Sequence, residues 1–275
     1  MSENKQSRCV LRIMSFNVWG NCPPGTTISN RDDNEAALVL RYLPDAVGFQ
    51  EFSPKIRAEE KSLASMIAHE YTEVPVIPTN ERKNNYTPIF YRPSKLTLID
   101  FGWKYYAGLN DAGSKTATWG CFEIKDSSTR FIFINTHFYW TGDDKGKTAR
   151  ISNAGELLSL MVEVREKYPY PVFFGGDFNC ATDSIPLDIL RRFGLCDVRY
   201  AAPETSPWRS HHKYPEYDFE QGIFCRGTHP TGEFRKSIDH IFSFGDVRAL
   251  RFVTVVDSEA LDSSDHCPIY ADFEI

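Results

Sequence analysis

The chain contains 275 residues, of which 41% are hydrophobic and 25% are charged, a composition typical of a globular protein. Its formal net charge of -6 argues against a generally basic nucleic-acid-binding protein, although an acidic total is compatible with a local basic groove. The sequence shows no signal-peptide pattern, no long apolar run and no CxxC pair among its seven cysteines, so we expect a cytoplasmic protein with reduced thiols and no membrane span.

Short segments rich in β-branched and aromatic residues, each bounded by turn residues, predict β-strands. In chain order they are 9–18, 45–52, 88–92, 95–103, 116–124, 130–138, 171–178, 237–244, 250–257 and 266–275. Segments with helical spacing or helix-capping residues lie between them, at 32–43, 53–71, 147–168 and 183–194. Because no linker or repeat divides the chain, we expect one α/β domain over residues 1–275, with packed β-sheets covered by helices.

The segment 200–236 is polar and aromatic, contains three of the seven histidines, and shows neither a helical nor a strand period. Loops of this length are often functional, but a surface insertion has the same composition. The sequence therefore leaves the role of this segment open.

Polar residues follow the apolar strand segments. In PVFFGGDFNC, residues 171–180, an apolar run passes through two glycines to Asp177 and Asn179. Side chains alternate along a strand, so these two residues face the same side, although taken alone they are equally consistent with a turn. Other strand ends carry similar residues, namely Asn17, Glu51, His137, Asp239 and the neighbours Asp265 and His266. So many polar strand ends in one chain favour a shared site over independent turns.

These residue types suit the hydrolysis of a phosphoester, which requires stabilised phosphoryl oxygens, a positioned water and help for the leaving oxygen. Glu51 is a candidate ligand of Mg²⁺, which prefers oxygen atoms. His137 and His266 are better candidates for proton transfer, because Mg²⁺ disfavours histidine and imidazole titrates near neutral pH. Asp239 is the expected carboxylate that orients His266.

The motifs SFNVWG, GFQEF, NTHF, GGDFN, SIDHIF and SSDHCP occur in this order between residues 12 and 270. Together they resemble the endonuclease/exonuclease/phosphatase superfamily. The resemblance implies a DNase I-like α/β fold, a four-layer sandwich of two packed, mostly antiparallel β-sheets flanked by helices. It also implies Mg²⁺, with Mn²⁺ as the alternative, held mainly at Glu51 with Asn17 and Asp265 nearby.

The resemblance implies a role for each remaining residue. His266, oriented by Asp239, would act as a general base or contact the phosphate. Asp177 would position or activate the water, or protonate the leaving group. Asn179 and His137 would contact the scissile phosphate.

The stretch NTHF…ARISNAGELL is most similar to bacterial metal-dependent hydrolases close to the nocturnin-type deadenylase branch. In those proteins an arginine after the histidine motif enters the site region, and Arg150 matches it as a candidate substrate-binding residue. The loop 139–147 departs from the pattern of that branch. Abasic-site endonucleases have tyrosine at the position of His137, which argues against abasic-site repair.

The sequence therefore predicts a Mg²⁺-dependent phosphoric ester hydrolase, a phosphodiesterase or phosphatase, that acts on a small phosphorylated substrate. A pI near 5.7 disfavours duplex DNA, since counterion-driven binding requires a basic surface. The alternative is an exo- or endonuclease acting on RNA or DNA, supported by basic residues at Lys145, Lys147, Arg150, Arg191 and Arg192. A non-catalytic binding module is a third hypothesis, which predicts the loss of a site residue, and none is lost. No obligate protein partner is expected.

Overall fold

Helices cover the outer faces of two β-sheets in the computed structural model, which describes residues 9–20, 29–58, 61–75, 85–107, 115–212, 217–218, 220, 223–224 and 229–275. The first eight strands are β1 Val10–Asn17, β2 Ala46–Gln50, β3 Thr72–Glu73, β4 Ile89–Tyr91, β5 Leu96–Tyr105, β6 Thr116–Ile124, β7 Arg130–His137 and β8 Val172–Asp177. They are followed by β9 Cys196–Asp197, β10 Glu204–Thr205, β11 Tyr217–Asp218, β12 Ile223–Phe224, β13 Asp239–Phe244, β14 Arg248–Thr254 and β15 Ile269–Glu274.

The helices in the described part of the chain are α1 Ser29–Tyr42, α2 Pro54–Ala58, α3 Leu63–Ile67, α4 Asp144–Lys167, α5 Ile185–Phe193, α6 Val198–Ala201 and α7 Ser258–Ser263, with a 3-10 turn at Phe234–Lys236. Asp143 caps α4 by accepting a hydrogen bond from the Gly146 N–H, and Gly194 ends α5 in the left-handed conformation. Among these helices, none combines the length and the apolar character that a membrane span requires.

The two sheets are mixed but mostly antiparallel. The first sheet has seven strands in the order β10-β14-β15-β1-β2-β4-β3, and the second has six in the order β5-β6-β7-β8-β13-β9. The parallel pairs within them are β1–β2, β10–β14 and β7–β8. Strands β11 and β12 pair separately. The predicted fold class, a DNase I-like α/β sandwich, is confirmed.

Alternation of apolar side chains along the strands produces the four layers. In β1, Leu11 and Ile13 face the second sheet, whereas Met14 and Phe16 pack under helices α1 and α3. Strands β7 and β8 alternate in the same way between the interior and the layer that contains α4 and α5. A sheet that is apolar on both faces must be covered on both, which explains why the central strands read as nearly continuous apolar runs.

The predicted strands are all present, with ends that shift by at most three residues, and the helices predicted at 32–43, 147–168 and 183–194 correspond to α1, α4 and α5. The single helix predicted over 53–71 is wrong, because two short helices, α2 and α3, occupy this range. Ser62 begins a new helix with a capping box, in which its hydroxyl accepts from the Ser65 N–H at 3.2 Å and Ser65 Oγ accepts from the Ser62 N–H at 3.0 Å.

The described part of 200–236 contains short elements rather than one irregular loop. Strand β10 extends the edge of the first sheet beside β14, and β11 pairs with β12. The remainder of this segment, at 213–216, 219, 221–222 and 225–228, lies outside the described residues.

A buried polar layer joins the two sheets just below the strand ends that carry the candidate site. Gln50 Nε2 donates to Asn135 Oδ1 at 2.7 Å and to Ser15 Oγ at 3.1 Å. Asn135 Nδ2 donates in turn to the carbonyl oxygens of Phe49 and Pro88 at 2.7 and 3.0 Å. Buried hydrogen-bond networks of this kind permit one relative position of the groups they connect, so the layer fixes how the sheets meet below the site.

Substitution of Gly48 by alanine is expected to destabilise the protein by about 1–3 kcal/mol. A Cβ at Gly48 would lie 2.4 Å from the side-chain carbonyl carbon of Asn135 and displace the polar layer. Gly155→Ala is the matched control, since a Cβ there meets nothing within 4 Å and α4 should gain roughly 0.5–1 kcal/mol. Equilibrium unfolding in urea measures both effects, and a Gly48→Ala variant as stable as wild type would contradict the prediction.

Candidate active site

The sheet topology brings distant strand ends to one edge of the sandwich. Strands β1 and β2 are parallel and finish there, as do β7 and β8. Strands β13 and β15 run antiparallel to their neighbours, so they begin at the same edge. In register, His137 lies beside Asp177, and Asp177 lies beside Asp239. This arrangement explains how residues spread over the whole chain meet in one place.

Asp177 lies at the centre of the cluster and is buried. Its Oδ2 accepts from Asn17 Nδ2 at 3.0 Å and lies 3.4 Å from His137 Nε2, and its Oδ1 accepts from the Asn179 N–H at 2.8 Å. Burial opposes ionisation, but the hydrogen bond with His137 and the charge of His266 hold the pKa of Asp177 well below its usual range. The carboxylate is therefore ionised at neutral pH.

His266 and Asp239 form a buried pair on the other side of Asp177. His266 Nδ1 lies 2.8 Å from Asp239 Oδ2, and Ser210 Oγ donates to the same oxygen at 2.6 Å. His266 Nε2 lies 3.9 Å from Asp177 Oδ2 and 4.0 Å from Asp265 Oδ2. Burial lowers the pKa of His266, but the charges of Asp239 and Asp265 raise it well above the ordinary value. The raised pKa favours the protonated imidazole, and its Nε2 faces the centre of the site.

Glu51, Asn17 and Asp265 offer oxygen atoms at the adjoining corner. Asn17 Nδ2 donates to Glu51 Oε1 at 3.3 Å. The pKa of Asp265 is raised to about 6. Burial is the main cause of the rise and the nearby charge of Glu51 adds to it, while His266 acts in the opposite direction. Within the described ranges, no lysine or arginine forms an ion pair with either carboxylate. Two carboxylates beside an amide are a donor set that fits a hard divalent cation.

A second group, Asp177, Asp239 and His266, also places one ligand atom of each residue within 4.8 Å of the others. Its geometry is that of a hydrogen-bonded relay, because His266 Nδ1 is already engaged with Asp239 at 2.8 Å. Mg²⁺ also disfavours imidazole nitrogen. The corner at Glu51 is therefore the better cation site.

Backbone strain is concentrated at this site. Among the described residues, five non-glycine residues have positive φ, and three of them line the same cavity: Trp19 at 45°, Glu51 at 56° and Asn179 at 49°. A Cβ at Gly20 would lie 1.8 Å from the Glu51 carbonyl oxygen, so glycine is required where these two turns touch. Strained residues persist where the surrounding structure holds them, and they cluster at functional sites.

The side chains surround an open cavity of about 480 Å³. The residues that line it are Trp19, Glu51, Tyr86, Lys115, His137, Trp140, Asp177, Asn179, His211, His212, Ile238, Asp265 and His266. Asn17 and Asp239 lie directly behind this lining through their hydrogen bonds to Asp177 and His266. Arg150 is not among the lining residues, and its Nη1 donates to the carbonyl oxygens of Tyr139 and Thr141 at 3.0 and 2.6 Å.

The sequence interpretation missed several residues at the site. Lys115 Nζ lies 2.8 Å from His137 Nε2. It directly precedes β6, which is antiparallel to β7, so predicting these two strands as a hairpin would have placed Lys115 at the same edge of the sheet as His137. Ser210 and His211 come from the segment without a detectable period. The main chain of His211 pairs with that of His266. Burial lowers the pKa of the His211 imidazole to about 4, so His211 is neutral at neutral pH.

Comparison with known proteins identifies the family to which the sequence is similar. The model of the Endonuclease/Exonuclease/phosphatase family matches residues 14–266. No curated protein sequence matches the chain. An endonuclease/exonuclease/phosphatase family protein from Bacteroides thetaiotaomicron is similar with a TM-score of 0.77 and 21% identity, over 97% of this chain and 98% of that one.

Other solved structures are similar at the same level. The mannosyl-6-phosphatase of Bacteroides thetaiotaomicron has a TM-score of 0.76 at 22% identity, over 96% of this chain and 100% of that one. The human nocturnin catalytic domain with bound sulfate has a TM-score of 0.71 at 14% identity, over 97% of each chain. These likenesses show the shared fold, and the family model, which spans most of the sequence, shows the membership. The chain belongs to the endonuclease/exonuclease/phosphatase family.

Proposed function

We propose that the protein is a divalent-metal-dependent phosphoester hydrolase that acts on a small phosphorylated molecule. One observation carries the proposal: ionised Asp177 faces the His266–Asp239 pair in the cavity that Glu51 and Asp265 also line. A hydrolytic site requires an anionic group for water, a cationic donor for phosphoryl oxygen and a place for a hard cation, and these residues supply all three.

In the proposed mechanism, water attacks phosphorus, a new P–O bond forms and the bond to the leaving oxygen breaks, while the proton that the water loses passes through the Asp177 carboxylate to the leaving oxygen. Asp177 accepts a hydrogen bond from the attacking water and orients it, because its carboxylate is ionised and fixed by Asn17 and Asn179. His266 donates from Nε2 to a phosphoryl oxygen, and Asp239 holds the imidazole in that orientation through Nδ1.

His137 and Lys115 would bind the phosphate from the side of the cavity opposite His266. The Lys115 ammonium adjoins His137 at 2.8 Å, and both side chains line the cavity. Asn179 is held by its Nδ2, which donates to the Phe138 carbonyl at 3.1 Å. Charge-assisted donors of this type bind phosphoryl oxygens more strongly than neutral ones do.

Glu51, Asn17 and Asp265 would hold the cation. When bound, a hard divalent cation supplies stabilisation of the negative charge that develops on phosphoryl and leaving oxygens. Burial chiefly, and the nearby charge of Glu51 in addition, raise the pKa of Asp265, and a cation bound between the two carboxylates would offset both effects.

A small substrate is favoured over a polymer by charge and size. Three of the five basic residues that could build a nucleic-acid groove are paired with nearby carboxylates: Lys147 with Asp144, Arg191 with Asp197, and Arg192 with Asp188. The cavity of about 480 Å³ lies in the range typical of small-molecule sites. The similar fold of a mannosyl-6-phosphatase supports the same substrate class.

The test is hydrolysis of p-nitrophenyl phosphate, bis-p-nitrophenyl phosphate, hexose phosphates, poly(A) and single-stranded DNA, each with Mg²⁺, Mn²⁺ or EDTA. We expect turnover of small esters that EDTA abolishes and that Asp177→Asn lowers by roughly 10²-fold or more. Asp126→Asn, which changes an exposed carboxylate in a distant turn, is the matched control and should remain fully active. Cleavage of the polymers alone would favour the nuclease alternative, and activity retained in Asp177→Asn would contradict the assignment.

A further inference from the structure

A tryptophan stands exposed at the mouth of the cavity. Trp140 is 63% exposed, the second largest value among the large hydrophobic residues of the described chain, and it nevertheless lines the cavity. Single exposed apolar residues are common on protein surfaces, so exposure alone carries no conclusion. The position of Trp140 beside the proposed phosphate site is the first observation that distinguishes it.

The second observation is that the backbone on both sides of Trp140 is held rigidly. Arg150 is buried, and one of its guanidinium nitrogens donates to the carbonyl oxygens of both neighbours, Tyr139 at 3.0 Å and Thr141 at 2.6 Å. The Tyr139 N–H donates to Asn153 Oδ1 at 3.0 Å. Both Arg150 and Asn153 belong to helix α4, so the helix fixes the segment that presents the indole.

The start of α4 holds the far side of the same segment. Thr141 Oγ1 donates to Asp143 Oδ1 at 2.6 Å, and Asp143 in turn caps the helix by accepting from the Gly146 N–H at 2.8 Å. A Cβ at Gly146 would lie 2.0 Å from the Thr141 carbonyl oxygen, so only glycine permits this approach. A side chain whose backbone is held before binding has less conformational freedom to lose when a ligand covers it.

We propose that Trp140 is a stacking platform for a ring in the substrate, either a nucleobase or the apolar face of a sugar, while the phosphate occupies the site at Asp177 and His266. This inference deepens the proposed function and depends on it for the position of the phosphate. An indole offers a large flat surface for such a ring at low entropic cost. Arg150 is then a positioning residue, which acts through Trp140 and does not itself contact the substrate.

The kinetic test compares glycerol phosphate, which has no ring, with a hexose phosphate and a nucleoside monophosphate. For Trp140→Ala we expect KM to rise about tenfold for ring-bearing substrates, with kcat and the glycerol phosphate KM within twofold of wild type. Trp140→Phe should restore most of the loss. If KM rises in Trp140→Ala for the hexose phosphate alone, the stacked ring is a sugar, and if KM rises for the nucleoside monophosphate alone, the stacked ring is a base. Phe193→Ala, which removes another partly exposed aromatic outside the cavity, is the matched control.

A binding measurement separates failure of this inference from failure of the proposed function. Titration of the same three compounds in EDTA, followed by tryptophan fluorescence, requires no turnover. We expect ring-bearing compounds to quench the wild-type signal and to lose most of that quenching in Trp140→Phe. If ring-bearing and ring-free compounds behave alike in wild type and variants, the platform is disproved even where hydrolysis is observed.

Arg150→Met tests the positioning role. The change should raise KM for ring-bearing substrates severalfold, because the carbonyls on both sides of Trp140 lose their common donor and the indole is no longer held in place. The kcat values and the KM for glycerol phosphate should stay unchanged. An equal rise of KM for glycerol phosphate would show that Arg150 binds the phosphate directly and would overturn its assignment as a positioning residue.

Discussion

The His266→Ala variant is expected to hydrolyse phosphoesters with a kcat roughly 10³-fold lower than wild type. The imidazole is the cationic donor that faces the centre of the site, with its Nε2 3.9 Å from Asp177 Oδ2. Its removal deletes a charge-assisted hydrogen bond that strengthens as charge develops on the phosphoryl oxygens, so kcat should fall much more than KM rises. Steady-state kinetics on whichever ester wild type hydrolyses fastest measures the effect.

Asp239→Asn is expected to lower kcat by roughly 10²-fold, because asparagine keeps the shape of the side chain and removes its charge. Asp239 acts through His266, so the double variant should be no slower than His266→Ala alone. Additive losses in the double variant would show that Asp239 contacts the substrate or a metal independently. This double-mutant cycle distinguishes the relay from a metal site built on Asp239.

His69→Ala is the matched control for the histidine variants, since His69 is exposed after helix α3 and does not line the cavity. It should retain wild-type kcat and KM. Circular dichroism and thermal unfolding of all variants establish that the loss of activity is not a loss of fold. His266→Ala with more than a tenth of wild-type kcat in a folded protein would refute the proposed role.

The fold was predictable from the sequence because its central strands are covered on both faces. A strand such as 130–138 then appears as one apolar run, and turn residues mark its ends clearly. The failure over 53–71 has a local origin, since the reciprocal hydrogen bonds of Ser62 and Ser65 start a new helix within a stretch whose composition is continuous.

The candidate site was predictable in its residue types but only partly in its connections. Asp177 and His137 were identified because a polar residue that ends an apolar strand is conspicuous. Ser210, which donates to Asp239, was not identified, because it is placed by long-range contacts. The main chain there pairs with the segment before β15, as in the bond from the Cys267 N–H to the Ser210 carbonyl at 2.7 Å. No local period encodes such a contact.

Arg150 illustrates a different limit. The sequence places a guanidinium near the site, but it does not specify whether the donors face a phosphate or a carbonyl. In the structure two backbone carbonyls accept from one nitrogen, so the guanidinium supports the loop of Trp140. The Arg150→Met experiment decides between the substrate-binding role predicted from the sequence and the positioning role proposed above.

The Glu51→Gln variant is expected to lose both metal binding and activity, with kcat lower by roughly 10²-fold or more at millimolar Mg²⁺. Glutamine keeps the length of the side chain and its oxygen, but it removes the charge that attracts a hard cation. Isothermal titration calorimetry with Mg²⁺ and Mn²⁺ measures the affinity directly. Glu163→Gln, which neutralises an exposed carboxylate on α4, should bind metal and turn over substrate as wild type does.

Thermal unfolding then separates a ligand from a structural residue. A cation that binds only the folded protein raises the midpoint temperature of wild-type unfolding as the cation concentration increases. This rise should vanish in Glu51→Gln. Without metal the variant should be at least as stable as wild type. Burial is the main cause of the raised pKa of Asp265, the charge of Glu51 adds to it, and the substitution removes that added repulsion. A variant that is unstable in EDTA but still stabilised by Mg²⁺ would show that Glu51 supports the strained turn and that the cation binds elsewhere.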